Sequence, residues 1–404
     1  MGSEWKKLPL GDVIELKRGY DLPTRERIPG KYPIVSSSGV SGSYCEGKAE
    51  PPGVVTGRYG TIGDVYYINK PFWPLNTALY VRDFKGNHPR FISYLLQTIN
   101  YQSYQDKGAV PGVNRNHLHL DEVLLPPLSE QRRIADILGT LDDKIDLNRR
   151  MNRTLEAMAR ALFKSWFVDF DPVRAKQRGE APVGVDAETA ALFPERLVDS
   201  ELGEIPEGWG VGKLGDVSKV YGGSTPKTKI SKYWDDPKHY WATPKDLSGQ
   251  EMPILLDTIR KLSDAGLDNV TNGQRPAGTL LMSKRAPIGY LALARVPTAI
   301  NQGFVALEPK GHVSNYFMLN WLNFNMELVK SRANGSTFKE ISQTAFRNLP
   351  IVIPPREVVE RYDALVDAFY VKIEANLRES QTLGEMRDVL LPELLSGKLK
   401  LKAT

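Results

Sequence analysis

Arg58 and Tyr59 stand in the tetrapeptide GRYG, and Lys284 and Arg285 stand in the related stretch MSKRAP. A guanidinium or ammonium held on a tight, glycine-bounded turn offers donors to phosphate oxygens and to the O6 and N7 of guanine. An amide side chain offers the donor and acceptor pair that matches adenine. Asn114, Arg115 and Asn116 follow a further glycine-containing run, and Lys17, Arg18, Tyr20, Arg25 and Arg27 crowd one turn-rich segment. Small donors come from SSSGVSGSY at 36–44. In the second half of the chain the comparable groups are Lys227 and Lys229 in KTK, and Ser336, Thr337 and Lys339 in ANGSTFKEIS. All of this is the chemistry of non-covalent readout, in which no bond is made or broken.

Covalent chemistry finds little support in the same sequence. The Pro-Pro pairs read EPPG, LPPL and IPPR, so the Asn/Asp-Pro-Pro-aromatic signature of amino methylation is missing, and so is a G-x-x-x-x-G-K-S/T phosphate loop. We therefore expect no catalytic residue and no binding of S-adenosylmethionine or ATP by this chain alone. His88, His117, His119, His239 and His312 form no metal-ligand spacing; HLH at 117–119 reads as a strand that places two imidazoles on one face. Cys45 is the only cysteine, which excludes an internal disulfide and a zinc site of paired thiolates.

The net charge of +5, from 53 basic and 48 acidic residues, is mildly basic and compatible with a nucleic-acid partner. No apolar run reaches the 18 residues of a membrane span, and MGSEWKKLPL carries no secretory signal, so a cytoplasmic, membrane-free protein is expected.

What positions the donors is a duplicated plan. At 404 residues the chain exceeds one comfortable domain, and comparing it with itself reveals a repeat. WKKLPLGDVIELKRG at Trp5 matches WGVGKLGDVSKVYGG at Trp209, an offset of 204. PGVVTGRYGTIGDVYYI at 52–68 resembles AGTLLMSKRAPIGYLAL at 277–293, and LLPPLSEQRRIADIL recurs as VIPPREVVERYDALV with an offset of 228. The second copy thus carries 24 more residues, expected in the Lys229 to Asn272 region. Short apolar runs such as GVVTGRYG and DVYYI, punctuated by Gly and Pro, predict strands. RFISYLLQTINYQSY and NYFMLNWLNFNMELVK have helical spacing, so the first part of each copy is an α+β domain.

The second part of each copy is a long helix. Proline is tolerated in a first turn, and Ser129 is expected to cap the first helix, with Glu130 facing its positive end. Apolar or core-type residues recur in 4-3 alternation at Ile134, Leu138, Leu141, Ile145, Asn148, Asn152, Leu155, Ala159, Leu162 and Trp166. The seam returns 228 residues later from Tyr362 to Leu394, a coiled-coil pattern. A helix of roughly 38 residues is about 57 Å long and exceeds what a small domain covers, so the two stripes are expected to bury each other. Asn148 and Asn376 hold equivalent mid-helix positions and should face one another in an antiparallel pair. The segment 169–205 has no sustained period and reads as a connector.

Taken together, LLPPLSEQRRIA, LFKSWFVDFDPVRAK, LGEIPEGW, GRYGTIG, AINQGF and the terminal LLPELLSGKL resemble the DNA-specificity (S) subunit of type I restriction-modification systems, over essentially the whole chain. The resemblance implies a non-catalytic scaffold of mixed α+β fold. Two α/β target recognition domains, 1–128 and 206–355, are separated by an antiparallel two-helix coiled coil, 129–168 and 356–397, with a connector at 169–205 and a pseudo-two-fold repeat. Each domain would read one half of a bipartite, asymmetric site in double-stranded DNA. The helices would set the spacer and dock two N6-adenine methyltransferase subunits, and the resemblance also allows ATP-dependent restriction subunits. Half-sites read from one side of the duplex lie about 34 Å apart, which leaves about six unread pairs between two four-pair half-sites. One departure is that Glu130 and Gln131 have no counterpart at Val358 and Val359, so no symmetric partner contact is implied at that turn. The reading from another class is an adaptor that uses two β-rich modules and a coiled coil to bind proteins; salt-dependent retention on DNA separates the two.

Overall fold

The computed structural model describes residues 5–104, 112–335, 339–399 and 401. The chain divides into two compact units: residues 1–147 with 379–404, and residues 148–378.

In the first unit, a four-stranded antiparallel sheet runs in the order Glu15–Arg18, Ala78–Asp83, Gly53–Gly57, Val65–Ile68. The interior strand GVVTG is buried at every residue, which is why its sequence is a continuous run rather than an alternation. A smaller sheet has the order Gly39–Tyr44, Tyr32–Ser36, Trp73–Pro74, the last pair being parallel. The helix Pro89–Gln97, capped by His88 Nδ1 accepting from Phe91 N–H, packs Phe91, Leu95 and Leu96 into a core with Leu10, Leu16 and Val54.

The second unit repeats this plan. Its main sheet runs Ser218–Gly222, Phe304–Pro309, Leu280–Lys284, Ile288–Ala294, Ile254–Leu255. The companion sheet runs Lys261–Leu262, His239–Ala242, Thr298–Ile300, again with one parallel pair. Where a short turn joins Tyr32–Ser36 to Gly39–Tyr44, the second unit inserts the helix Pro244–Leu247 and the strand Ile254–Leu255. Most of the extra length is therefore inside the expected Lys229 to Asn272 region. In both copies a glycine follows the first sheet strand because backbone passes too close for a side chain. A Cβ on Gly19 would meet Leu75 O at 2.2 Å, and one on Gly223 would meet Ile300 O at 1.9 Å.

The long helices are Leu128–Phe167 and Arg356–Leu395, each of 40 residues. Pro127 O accepts from both Glu130 N–H and Gln131 N–H, so the first helix begins at Leu128. Ser129 consequently lies inside the first turn and is not the cap that the sequence suggested. Every seam residue of both helices is buried or half-buried. In the first unit, Ile134, Ala135 and Leu138 share a core with Leu394 and Leu395, and the seam's Arg387 is neutralised by Asp142 at 2.9 Å. In the second unit, Ala159, Phe163 and Trp166 meet Tyr362, Val366, Tyr370 and Ile373. The helices are thus antiparallel partners.

They are also more than a mutual seam. The Phe163 ring lies 5.1 Å from Phe317 and 5.9 Å from Tyr362, and Phe167 lies 4.9 Å from Phe317, so this end of the pair is sunk in the second unit's core. Asn148 and Asn376 do meet, Asn148 Nδ2 donating to Asn376 O at 3.4 Å, but the bond between side chains runs from Asn376 Nδ2 to Asn152 Oδ1 at 2.8 Å. The unmatched turn is also explained. Gln131 is spent inside its own unit on His88 N–H, Asn87 Oδ1 and Pro126 O, while Val358 and Val359 are fully buried apolar groups.

The segment 169–205 has more structure than its composition suggested. It forms helices Asp171–Gln177 and Ala187–Ala191 and a hairpin of Leu197–Ser200 with Gly203–Pro206, anchored by Phe170, Val173, Phe193 and Ile205 in the second unit's core. Isolated apolar anchors leave no period to read.

Candidate nucleic-acid interface

Arg58 and Lys284 occupy equivalent places. Each stands at the end of its unit's interior sheet strand, and its carbonyl accepts a backbone N–H from the loop before a short helix: Val113 N to Arg58 O at 3.0 Å, and Ile341 N to Lys284 O at 3.1 Å. Those helices are Arg115–Leu118, capped by Asn114 Oδ1 accepting from Asn116 N–H at 3.0 Å, and Gln343–Arg347, capped by Ser342 Oγ accepting from Ala345 N–H at 3.1 Å. The fold thus brings Arg58, Tyr59, Asn114, Arg115 and Asn116 to one rim of the first unit. Asn114 spends its carbonyl oxygen as a cap, whereas Arg115 and Asn116 are exposed.

The two rims differ electrostatically. The Arg58 guanidinium lies 4.4 Å from the centre of the Tyr59 ring and takes part in no ion pair among the described residues. Lys284 Nζ is 2.7 Å and Arg285 Nη1 3.5 Å from the two oxygens of Glu340. The hydrogen bond from Lys284, and then the charges of Lys284 and Arg285, hold the Glu340 carboxyl below the usual glutamate range.

Around Tyr20 the first unit builds a second donor cluster. Lys17 Nζ donates to Tyr20 Oη at 3.1 Å, and Tyr80 Oη lies 3.2 Å away on the other side. Those two hydrogen bonds, Tyr80's the larger, lower the Tyr20 phenol, while burial raises Tyr80. Arg18 is tied to Asp21 at 3.0 Å, Arg25 to Glu26 at 3.4 Å, and Arg27 Nε donates to Leu22 O at 3.4 Å. Lys227, Lys229 and Lys339 are exposed in loops, and Ser336 and Thr337 lie outside the described residues.

Two cations escaped the sequence reading. Lys48 Nζ sits 5.4 Å over the Trp73 ring, which also stacks edge-on with Tyr20 and Tyr44, and the Arg260 guanidinium lies 3.6 Å from the Trp234 ring centre and 5.8 Å from Trp241. Their aromatic partners are about two dozen residues away in sequence, so no local spacing announces them. The HLH stretch also needs correction. His117 lies in the helical turn Arg115–Leu118, with His119 just after it, and His119 Nε2 accepts from Leu16 N–H at 3.0 Å, so there is no strand face there carrying two imidazoles.

The first unit's rim therefore presents Arg58 against the Tyr59 ring with exposed Arg115 and Asn116, and the second unit's rim presents Lys284 and Arg285 tied to Glu340. No helix among the described residues is long and apolar enough to cross a membrane. Comparison with known proteins places the chain among relatives of one kind. The chain is 28% identical over 333 residues to the type I restriction enzyme HindI specificity subunit of Haemophilus influenzae, covering 72% of each chain. It is 26% identical over 324 residues to the MjaIX specificity subunit of Methanocaldococcus jannaschii, covering 77% of this chain and 69% of that one. The crystal structure of the type I restriction-modification S subunit from M. genitalium shares the fold, with a TM-score of 0.62 at 17% identity over 99% of this chain and 97% of that one. The family described as type I restriction modification DNA specificity domain matches residues 2–157 and again 206–380, so the chain belongs to that family.

Proposed function

We propose that this chain is the DNA-reading, non-catalytic subunit of a type I restriction-modification enzyme, each recognition domain (1–128 and 206–355) contacting one half of a bipartite site in double-stranded DNA. The observation that carries it is the duplicated rim. One family domain occurs twice in one chain, and each copy ends its interior strand in a basic residue, Arg58 or Lys284, at the same backbone position. Because the side chains around that position differ, the two half-sites differ in sequence. The candidate contacts are Lys17, Arg18, Tyr20, Arg25, Arg27, Arg58, Tyr59, Asn114, Arg115 and Asn116 in the first domain. In the second they are Lys227, Lys229, Lys284, Arg285, Ser336, Thr337 and Lys339.

The helices 129–168 and 356–397 set the spacer and dock two methyltransferase subunits in the cytoplasm, an assembly that leaves room for ATP-dependent restriction subunits to join. Support for paired docking comes from the helix surfaces. Ile137, Leu147 and Met158 are exposed on the first helix, and 228 residues on, Leu365, Ala375 and Met386 are exposed on the second. Apolar groups left in water at repeated positions, large in both copies at Ile137 with Leu365 and at Met158 with Met386, mark an association surface.

The test is a single-molecule adenine-methylation map of host DNA, with the methyltransferase subunit present and this chain either present or deleted. A bipartite motif with a fixed unread gap, methylated only when the chain is present, is expected. An unchanged map despite association of the two proteins would place the chain among protein adaptors.

A further inference from the structure

Glu340 is the feature of the second rim that non-specific DNA attraction does not explain. A carboxylate in a surface meant to face phosphates repels them, yet this one bonds Lys284 at 2.7 Å and reaches Arg285 at 3.5 Å. It is also built in. Its backbone pairs with Asn334 in both directions, at 3.0 and 2.9 Å, and its residue forms a bridge with Arg285. The Lys284 side chain beneath it retains only 15% of its exposure. In the first unit the matching bridge joins Tyr59 to Gly112, where a Cβ would stand 2.1 Å from the Tyr59 ring, and Arg58 has no acidic partner among the described residues. Among the described residues the acid belongs to one copy only.

We infer that Glu340 is the specificity-determining positioning residue of the second recognition domain: it holds Lys284 and Arg285 away from phosphate and aims them, with its own acceptor oxygens, at base edges. This rests on the DNA-reading function proposed above. A carboxylate beside an ammonium presents an acceptor and a donor together, which suits a base edge. Glu accepts from the N4 amine of cytosine, and the basic groups donate to guanine. Against a phosphate the same pair is self-neutralised, so it adds little to salt-dependent, sequence-blind binding. The first rim, where Arg58 meets no carboxylate among the described residues, carries more of that sequence-blind attraction.

The experiment uses the full chain assembled with its methyltransferase subunit. Binding to the methylated motif's sequence and to random duplex is measured across a salt series for the wild type, Glu340→Gln and Glu340→Asp. For Glu340→Gln, random-duplex affinity is expected to rise with a salt slope steeper by about one phosphate contact, roughly 0.9 in log–log units. The preference for the cognate second half-site should fall about tenfold or more. Glu340→Asp keeps the charge on a shorter stem, so it should leave random-duplex binding low while still losing discrimination. If Glu340→Gln weakens cognate and random binding in parallel, or leaves the salt slope and the preference unchanged, Glu340 is structural or idle and the inference falls. A wild-type complex with no preference for any duplex would instead overturn the DNA-reading function itself.

Discussion

Asn376 offers the sharpest test of how the helix pair is held in register. Its side chain is fully buried, Asn152 is almost so, and a single 2.8 Å hydrogen bond joins Asn376 Nδ2 to Asn152 Oδ1. Replacing Asn376 with Ala deletes the donor and leaves Asn152 Oδ1 in a site closed to water. A lost hydrogen bond is worth about 1 kcal/mol, and stranding a buried acceptor adds about 1–2 kcal/mol, so roughly 2–3 kcal/mol is expected. Asn152→Ala should cost a similar amount. The double variant should cost less than the sum, with a coupling of about 1–2 kcal/mol, because the second change removes a group already stranded. Urea unfolding followed by tryptophan fluorescence reads this. Trp166, Trp209 and Trp321 all lie in the second unit's core. With a slope of about 2 kcal/mol per molar urea, each single variant should lower that unit's midpoint by about 1 M at unchanged slope. Leucine at both positions should restore or raise stability while removing the polar contact that fixes helix register, so alternative alignments should appear as lost binding at full helicity. Strict additivity of the two alanine changes, or a shift under about 0.2 M for Asn376→Ala, would refute the argument.

Burial raises the Asp363 carboxyl to about 6, against which Ser314 Oγ donates a hydrogen bond at 2.6 Å. Between about pH 4 and 6 the folded protein keeps a proton that the unfolded chain has released, so stability falls as pH rises through that window and the full cost stands above it. Allowing for residual solvent contact, Asp363→Asn should stabilise by about 1–2 kcal/mol at pH 7.5 and by nothing below about pH 4; equal melting shifts at both pH values would contradict this. Gly223→Ala would drive a methyl into Ile300 O at 1.9 Å, so a loss of at least about 1–3 kcal/mol is expected, measured by thermal unfolding, with Gly19→Ala behaving alike at Leu75 O. Charged substitutions Ile137→Glu and Leu365→Glu sit on exposed surface, so each should leave melting within about 0.5 kcal/mol of wild type. Each should also cut co-purification of methyltransferase by about one copy per chain, and full retention of both copies would remove these stripes from the docking surface.

Local periodicity and self-similarity made much of this molecule legible in its sequence. The 3-4 spacing from Ile134 to Trp166 and its return from Tyr362 to Leu394 announce two long helices, and the LGDV repeat announces two copies of one domain, because each signal is carried by residues close in sequence. The pairing of Arg58 with Lys284 as equivalent rim residues was visible for the same reason. The Ser129 cap failed because one residue's difference in where a turn closes is set by hydrogen-bond geometry at Pro127, and side-chain preference does not resolve it. The connector was read as featureless because its anchors, Phe170 and Phe193, are single contacts to a distant core.

By itself, then, the sequence determined the repeat, the helix pair, the mixed α+β class and the supply of basic and amide donors, all properties of local pattern and composition. Only the tertiary structure decided which donors are already spent. Arg18 goes to Asp21, Asn114 to its own helix, Lys284 and Arg285 to Glu340, and Asn376 to Asn152 rather than to the Asn148 side chain. The physical reason is that hydrogen bonds and ion pairs are fixed by angstrom-scale approach between groups tens to hundreds of residues apart. No periodicity encodes that approach; it exists only once the sheets and helices have packed.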